Sequence, residues 1–241
     1  MYEPRKYRDN IKADNLVNFT AIVAETDLFI RAERDLKNES LQSIKYWRNI
    51  LEEYIKEHPL FKDAMEPIIP PSNAPEFIKI MCEAGQKAGV GPMAAVAGRI
   101  AESVGRDLLK LSDEIIVENG GDIFLKTSQD CIIGIYAGES KLSNKLSIRV
   151  SKENMPIGVC TSSGTVGHSY SAGKADAVTI LSQDVALADA VATAVGNRVV
   201  VPESIPSAID FGLGIEGILG VLIICGDTFG AAGDIKLVKQ E

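Results

Sequence analysis

The chain has 241 residues, 33 of them acidic and 25 basic, giving a net charge of −8 with 46% hydrophobic residues. That balance describes a globular protein with a sizeable core, and its acidity argues against non-specific binding to nucleic acid. The longest apolar run, 218–225, is far shorter than the roughly 20 residues of a membrane helix.

The opening decapeptide MYEPRKYRDN holds neither an apolar stretch nor a lipid-anchor cysteine, so a cytoplasmic location is expected. Cys82, Cys131, Cys160 and Cys225 are scattered without CxxC or CxH spacing. Zinc and iron–sulfur sites are therefore poorly supported, and buried thiols in a reducing compartment are expected.

In chain order, residues 17–33 hold two alternating runs around Glu25-Thr26-Asp27 and read as a hairpin. Leu41, Ile44, Trp47, Ile50, Leu51 and Ile55 recur at helical spacing over 40–57, with Asn38 or Ser40 as cap and Pro59 beyond the end. The proline-rich stretch 66–75 predicts an extended connector, and Pro75 suits the first turn of a helix running to about Lys87. A second helix, rich in alanine and glycine, is predicted from Met93 to Leu111.

Short strands follow at 114–118, 122–126, 131–137, 146–150, 157–161 and 177–181. A helix is predicted at 185–196, a short helical piece near 203–210, and closing strands at 217–225 and 234–239. Strands in runs with helices in blocks indicate an α+β fold, with mixed and antiparallel sheets under packed helices. One domain over residues 1–241 is the expected organisation, with 1–70 as the alternative N-terminal lobe.

Three segments carry polar chemistry. In ALADAVATAVG, Asp189 and Thr193 stand four apart, so their side chains share a helix face about 5–6 Å apart at Cβ. A carboxylate and a hydroxyl are hard oxygen ligands of the kind Mg²⁺ takes; the other reading is a packed helix whose Thr bonds back to the backbone. Asn119-Gly120-Gly121-Asp122 joins two strand-like runs as a tight turn, and bare glycine backbone also admits a phosphate or an adenine. Thr161, Ser162, Ser163, Gly164 and Thr165 lead to His168, in a segment able to bind pyrophosphate oxygens and move a proton. A polar surface loop is the alternative there. Asp176, just before a strand, is a third carboxylate for a metal shell or a turn residue.

Four segments, in order, resemble the ApbE-like flavin transferase superfamily: GPMAAVAGRIAESVG (91–105), VENGGDIFLK (117–126), GVCTSSGTVGHS (158–169) and ALADAVATA (186–194). The blocks VGPMAAVAG, SSGTVGHS and GKADAV are similar to an archaeal and bacterial branch of that superfamily. The resemblance implies an ApbE-like fold and a Mg²⁺ site at Asp189 and Thr193, completed by the Ala94 carbonyl. It also implies a nucleotide site at Gly120, Gly121 and Asp122, and His168 as the active-site histidine. FAD or a related flavin nucleotide is the implied ligand, with a protein as acceptor of FMN. Two departures stand out. The superfamily's Asp-Pro after the histidine is missing here, and Ala97 occupies the position of its lysine, with Lys174 or Arg99 as substitute cations.

The expected function is thus Mg²⁺-dependent binding of a flavin or adenine nucleotide, with FMN transfer or pyrophosphate cleavage. The alternative is a non-catalytic flavin carrier or assembly partner, with a link to sulfur assimilation toward homocysteine considered beside it. No nucleic-acid or membrane partner is expected, and the apolar Gly/Ala helices raise a homodimer as a further expectation.

Overall fold

A computed structural model describes residues 11–12, 16–164 and 173–239. Two sheets and a layer of helices are stacked on one another. The larger sheet has eight strands in the order β11-β10-β9-β8-β5-β4-β3-β2, every neighbouring pair antiparallel. These strands are β2 (Val17–Val23), β3 (Thr26–Ala32), β4 (Ile115–Asn119), β5 (Asp122–Lys126), β8 (Ile157–Ser162), β9 (Ala177–Ser182), β10 (Ile218–Cys225) and β11 (Thr228–Gly233). The smaller sheet joins β1 (Ile11–Lys12), β6 (Cys131–Gly134), β7 (Leu146–Val150) and β12 (Leu237–Lys239) in the order β1-β6-β7-β12.

Strand alternation explains the layering. Side chains on a strand point to opposite faces in turn. On β5, Phe124 faces the helices while Ile123 and Leu125 face the small sheet. On β10, Val221 and Ile223 face the helices while Leu222 and Ile224 face the small sheet. Both faces of the central strands are covered, so these segments read as continuous apolar runs.

The helical layer holds α1 (Lys37–Glu57), α2 (Leu60–Asp63), α3 (Glu76–Ala88), α4 (Val96–Leu108), α5 (Val185–Gly196) and α6 (Ile205–Leu213). α1 docks on α4 through Asp107, whose Oδ2 accepts from Ser43 Oγ at 2.8 Å and Trp47 Nε1 at 2.9 Å. The Trp47 ring stacks on Phe77 of α3, centroids 5.5 Å apart.

The structure corrects several sequence expectations. α1 begins at Lys37 behind Leu36, and neither Asn38 nor Ser40 caps it. Ser40 Oγ instead donates to the Leu36 carbonyl, the common back-bond of a serine inside a helix. Pro75 stands at the N-cap of α3, outside the first turn. The expected helix from Met93 is split: a 3₁₀ turn, Pro92–Ala95, precedes α4, which stops at Leu108. The expected strand at 234–239 shrinks to β12, which pairs with β7 in the small sheet. β11 was not anticipated at all. Its sequence TFGAAG is two-thirds glycine and alanine, residues depleted in strands, and becomes one by pairing with β10.

The fully buried Phe124 lies between α4 and the sheet, with the Arg106 guanidinium 5.7 Å from its ring centroid. Phe124→Ala is expected to lower the free energy of unfolding by about 3–5 kcal/mol, read from urea unfolding monitored by circular dichroism. A loss under about 1 kcal/mol would mean this layer contact is not packed as described.

Candidate functional site

Strand ends gather the site. The β4–β5 turn, the end of β8 and the start of β9 meet at one end of the large sheet, and α5 runs back across the sheet toward them. α5 starts cleanly because Asp184 Oδ1 accepts from the Leu187 N–H at 3.0 Å. Its alanines let it pack closely, and every residue of the helix is buried except the half-buried Thr193.

Asp189, one turn in, points at the N-terminus of α4. Its Oδ2 accepts from the Gly98 N–H at 2.8 Å, and the Ala97 N–H also bonds to the carboxyl. The first N–H groups of a helix have no partners of their own, and the helix dipole favours negative charge there. Gly98 permits the approach: a Cβ on it would lie 2.6 Å from the Val185 carbonyl oxygen and 2.9 Å from Asp189 Cβ. Burial nevertheless pushes the Asp189 carboxyl up to about 7, against the opposing pull of the Gly98 and Ala97 N–H groups.

A second buried carboxyl lies beside it. Asp122 opens β5 after the two-residue turn at Gly120 and Gly121, whose φ values of 68° and 110° suit glycine alone. Burial holds its carboxyl well above the usual range; the Asp189 charge adds to this, and Glu118 adds further. Asp122 sits opposite Cys160 of β8, and the Cys160 Sγ is 3.5 Å from the Val185 carbonyl. Burial and then the charges of Asp122 and Asp189 raise that thiol strongly, so it is no thiolate nucleophile.

The turn is braced on both sides. Glu118 Oε1 accepts from the Gly121 N–H at 2.8 Å, and Asn119 Nδ2 donates to the Ala97 carbonyl at 3.0 Å. The Thr161 N–H donates to the Gly121 carbonyl at 3.2 Å, and its hydroxyl pairs with that of Thr179 at 3.0 Å. Ser162 and Ser163 follow, half-buried, and Gly164 is exposed.

Asp189, Asp122, Gly120, Gly121 and Thr161 therefore belong to one neighbourhood, and Thr193 follows Asp189 one turn later on α5. Ala94 lies in the 3₁₀ turn leading into α4, its N–H donating to the Gly91 carbonyl at 3.1 Å. Asp176 is turned elsewhere: its Oδ2 accepts from the Gly226 N–H at 2.7 Å, at the β10–β11 turn. Thr165 and His168 lie outside the described residues. Among the described residues, no three or more His, Cys, Asp or Glu side chains converge as a metal-ligand set.

The substitute cations do not face the two carboxyls. Arg99 pairs with Glu102 at 3.3 Å and lies 5.2 Å from the Phe77 ring centroid, inside the helical layer. Lys174 is exposed. Sequence reasoning passed over Gly98, Glu118, Asn119, Cys160 and Thr179 as site residues. Only Glu118 and Asn119 carried a signal, as polar neighbours of the Gly-Gly turn.

This is the ApbE-like α+β fold. It is similar to an ApbE protein from Thermotoga maritima, with a TM-score of 0.59 at 14% identity, covering 90% of this chain and 97% of that one. It is also similar to the apo form of the flavinyl transferase ApbE from Pseudomonas stutzeri, with a TM-score of 0.53 at 12% identity over 90% and 94% of the two chains. In sequence, the UPF0280 protein of Methanococcus maripaludis strain C6 is 40% identical over 230 residues, 93% of this chain and 90% of that one. The UPF0280 protein of Methanocaldococcus jannaschii is 40% identical over 227 residues, 91% and 92% of the two chains. The family described as AbpE bacteria matches residues 8–214, and the chain belongs to it, on the branch of the UPF0280 proteins.

The buried carboxyls make stability depend on pH. Asp189 releases its proton near its ordinary 3.8 when unfolded and near about 7 when folded. Between these values the folded chain binds more protons than the unfolded one, so stability falls as pH rises. The metal-free protein should therefore lose Tm steadily from pH 4 to pH 7, and Asp189→Asn should flatten that slope. An unchanged slope in the variant would show that Asp189 is already ionised in the fold at low pH.

Proposed function

We propose that the chain binds FAD or a related adenine nucleotide together with Mg²⁺ at this sheet end, and transfers the FMN half or cleaves the pyrophosphate. The observation that carries this reading is the buried Asp122–Asp189 pair beside the bare Gly120–Gly121 turn. Two like charges held together out of water repel, and a divalent cation relieves them. The donor set fits: the Asp189 carboxylate, the Thr193 hydroxyl and the Ala94 carbonyl would hold Mg²⁺. This ion usually takes one or two carboxylates and fills its shell with waters and substrate phosphates, so a closed protein cage is not required. Bound there, it would supply charge compensation to the phosphate oxygens. Asp122 and Asp176 stand as further acidic groups, with Asp176 at the margin.

The chain's own residues do the rest. Gly120 and Gly121 leave the backbone open to the nucleotide. Thr161, Ser162, Ser163, Gly164 and Thr165 bind phosphate oxygens. His168 takes the proton of the attacking hydroxyl as that oxygen bonds to the FMN-side phosphorus and the P–O bond to AMP breaks. The hydroxyl comes from water, a small metabolite or a protein acceptor. The similar Pseudomonas stutzeri structure is that of a flavinyl transferase and a similar Vibrio cholerae structure that of a flavin transferase, which supports flavin as the nucleotide.

A carrier without catalysis is the second reading. It is favoured by Ala97 standing where the superfamily has lysine, and by Arg99 being committed to Glu102. The sulfur-assimilation link draws no support: all four thiols are buried, and burial raises each of them. No helix among the described residues is long and apolar enough to cross a membrane.

Incubation with FAD and Mg²⁺ should release AMP, and a chelator should stop the release. His168→Ala should slow it about 10²–10⁴-fold. Asp189→Asn should abolish the Mg²⁺-dependent part of binding, read as loss of the thermal shift that saturating FAD gives with Mg²⁺. FAD that binds but stays intact for hours points to the carrier. If FAD, FMN, AMP, ADP and ATP all leave Tm unchanged with Mg²⁺ present, the nucleotide reading fails.

A further inference from the structure

β11 ends the eight-stranded sheet beside β10. Edge strands are normally guarded by a lysine, a proline, a bulge or shortness. Among the described residues, no lysine, proline or break in pairing guards β11. Its six residues, TFGAAG, are uncharged, and its register with β10 runs unbroken from Gly220↔Gly233 to Cys225↔Thr228. The two-residue turn at Gly226 and Asp227 makes Cys225↔Thr228 the closing hydrogen-bonded pair. Alternation then turns the N–H and C=O of Phe229 and Ala231 away from β10, along an edge about 20 Å long.

Apolar surface accompanies this edge. A cavity of about 420 Å³ lies between β11 and α6, lined by the apolar Ile205, Pro206, Ile209 and Phe229 together with the acidic Glu203 and Asp210. Phe229 is 44% exposed, and Val200 and Val201, just before Pro202, are 51% and 49% exposed. The homodimer expected from the Gly/Ala helices has lost its basis, because α4 and α5 spend their apolar surface inside this chain. The exposed edge is elsewhere.

We propose that β11 pairs antiparallel with β11 of a second copy, across a two-fold axis at Ala231, joining two large sheets into one. A two-fold contact needs a patch complementary to itself. Here Ala231 meets Ala231, and Phe229 meets Gly233 of the second copy, so the large side chain falls opposite a residue with none. Copies of net charge −8 repel, yet this strand itself carries no charge. Of the two acids that flank it, Asp227 is paired with Lys141 at 2.7 Å, and Asp234 falls opposite the uncharged Thr228 of the second copy. The exposed Phe229 adds an apolar side-chain contact beside the backbone pairing. The proposal is independent of the nucleotide reading, because none of these residues is assigned to the site.

Sedimentation equilibrium of the full chain at tens of micromolar should give twice the 25.9 kDa chain mass. In a hydrogen-bonded antiparallel pair the two Cα atoms at position 231 lie about 5.5 Å apart, within reach of a disulfide. Mild oxidation of Ala231→Cys should therefore give a cross-linked dimer on a non-reducing gel. Thr228→Cys should give none, since its two copies are separated by the length of the strand. Phe229→Glu should halve the mass with circular dichroism unchanged, and Ala231→Pro, which removes an outward N–H, should do the same. A monomeric wild type overturns the proposal. So does a dimer that persists in Phe229→Glu, or one in which Ala231→Cys fails to cross-link.

Discussion

The Asp189 carboxylate sits where α5 crosses the N-terminus of α4, and the candidate site depends on that crossing. The N–H groups of Gly98 and Ala97 need acceptors, and α4 is buried, so water is a poor substitute. An acceptor supplied from another helix satisfies them and fixes the two axes together. The contact is close because Gly98 has no side chain and α5 is mostly alanine. A cap of this kind contributes on the order of 1 kcal/mol, whereas removing a carboxylate from water costs several, so burial dominates and the carboxyl is pushed toward its protonated form.

The same crossing organises the sheet end. Asn119 reaches from the β4–β5 turn to the Ala97 carbonyl, so the turn and the helix start move as one unit. Glu118 and Thr161 hold the Gly121 backbone from either side. These bonds leave Asp122 and Asp189 facing each other's charge in a dry setting. A structural protein gains little from two repelling buried carboxyls; a protein that binds a cation or a metal–phosphate complex can use them, because the ligand removes the repulsion when it arrives.

The layered α+β architecture is shared with ApbE structures at 12–14% identity, which establishes fold alone. The UPF0280 relatives match at 40% identity over nine-tenths of the chain. Ala97 lies in the first turn of α4. Its carbonyl is engaged by Asn119, and the nearest cation on the helix, Arg99, is drawn into an ion pair with Glu102 beneath the Phe77 ring. The described part of the site is therefore acidic.

The sequence by itself determined the helix at 185–196, the strands at 122–126 and 146–150 and the Gly-Gly turn, all found at those positions. Local chemistry decides such features: period, small residues and positive φ act within a few residues. It also placed Asp189 and Thr193 on one helix face and pointed to the α+β class. Tertiary structure decided the rest. TFGAAG became a strand only because β10 offered a ladder to pair with. Gly98, Cys160 and Thr179 joined the site through contacts 91, 25 and 18 residues apart in sequence, a separation no local pattern encodes. Asp176 read from its neighbours as a metal ligand or a turn residue; its Oδ2 accepts from the N–H of Gly226, a residue distant in sequence. Local spacing reports which face a side chain occupies, whereas its partner is fixed only when the chain has folded around it.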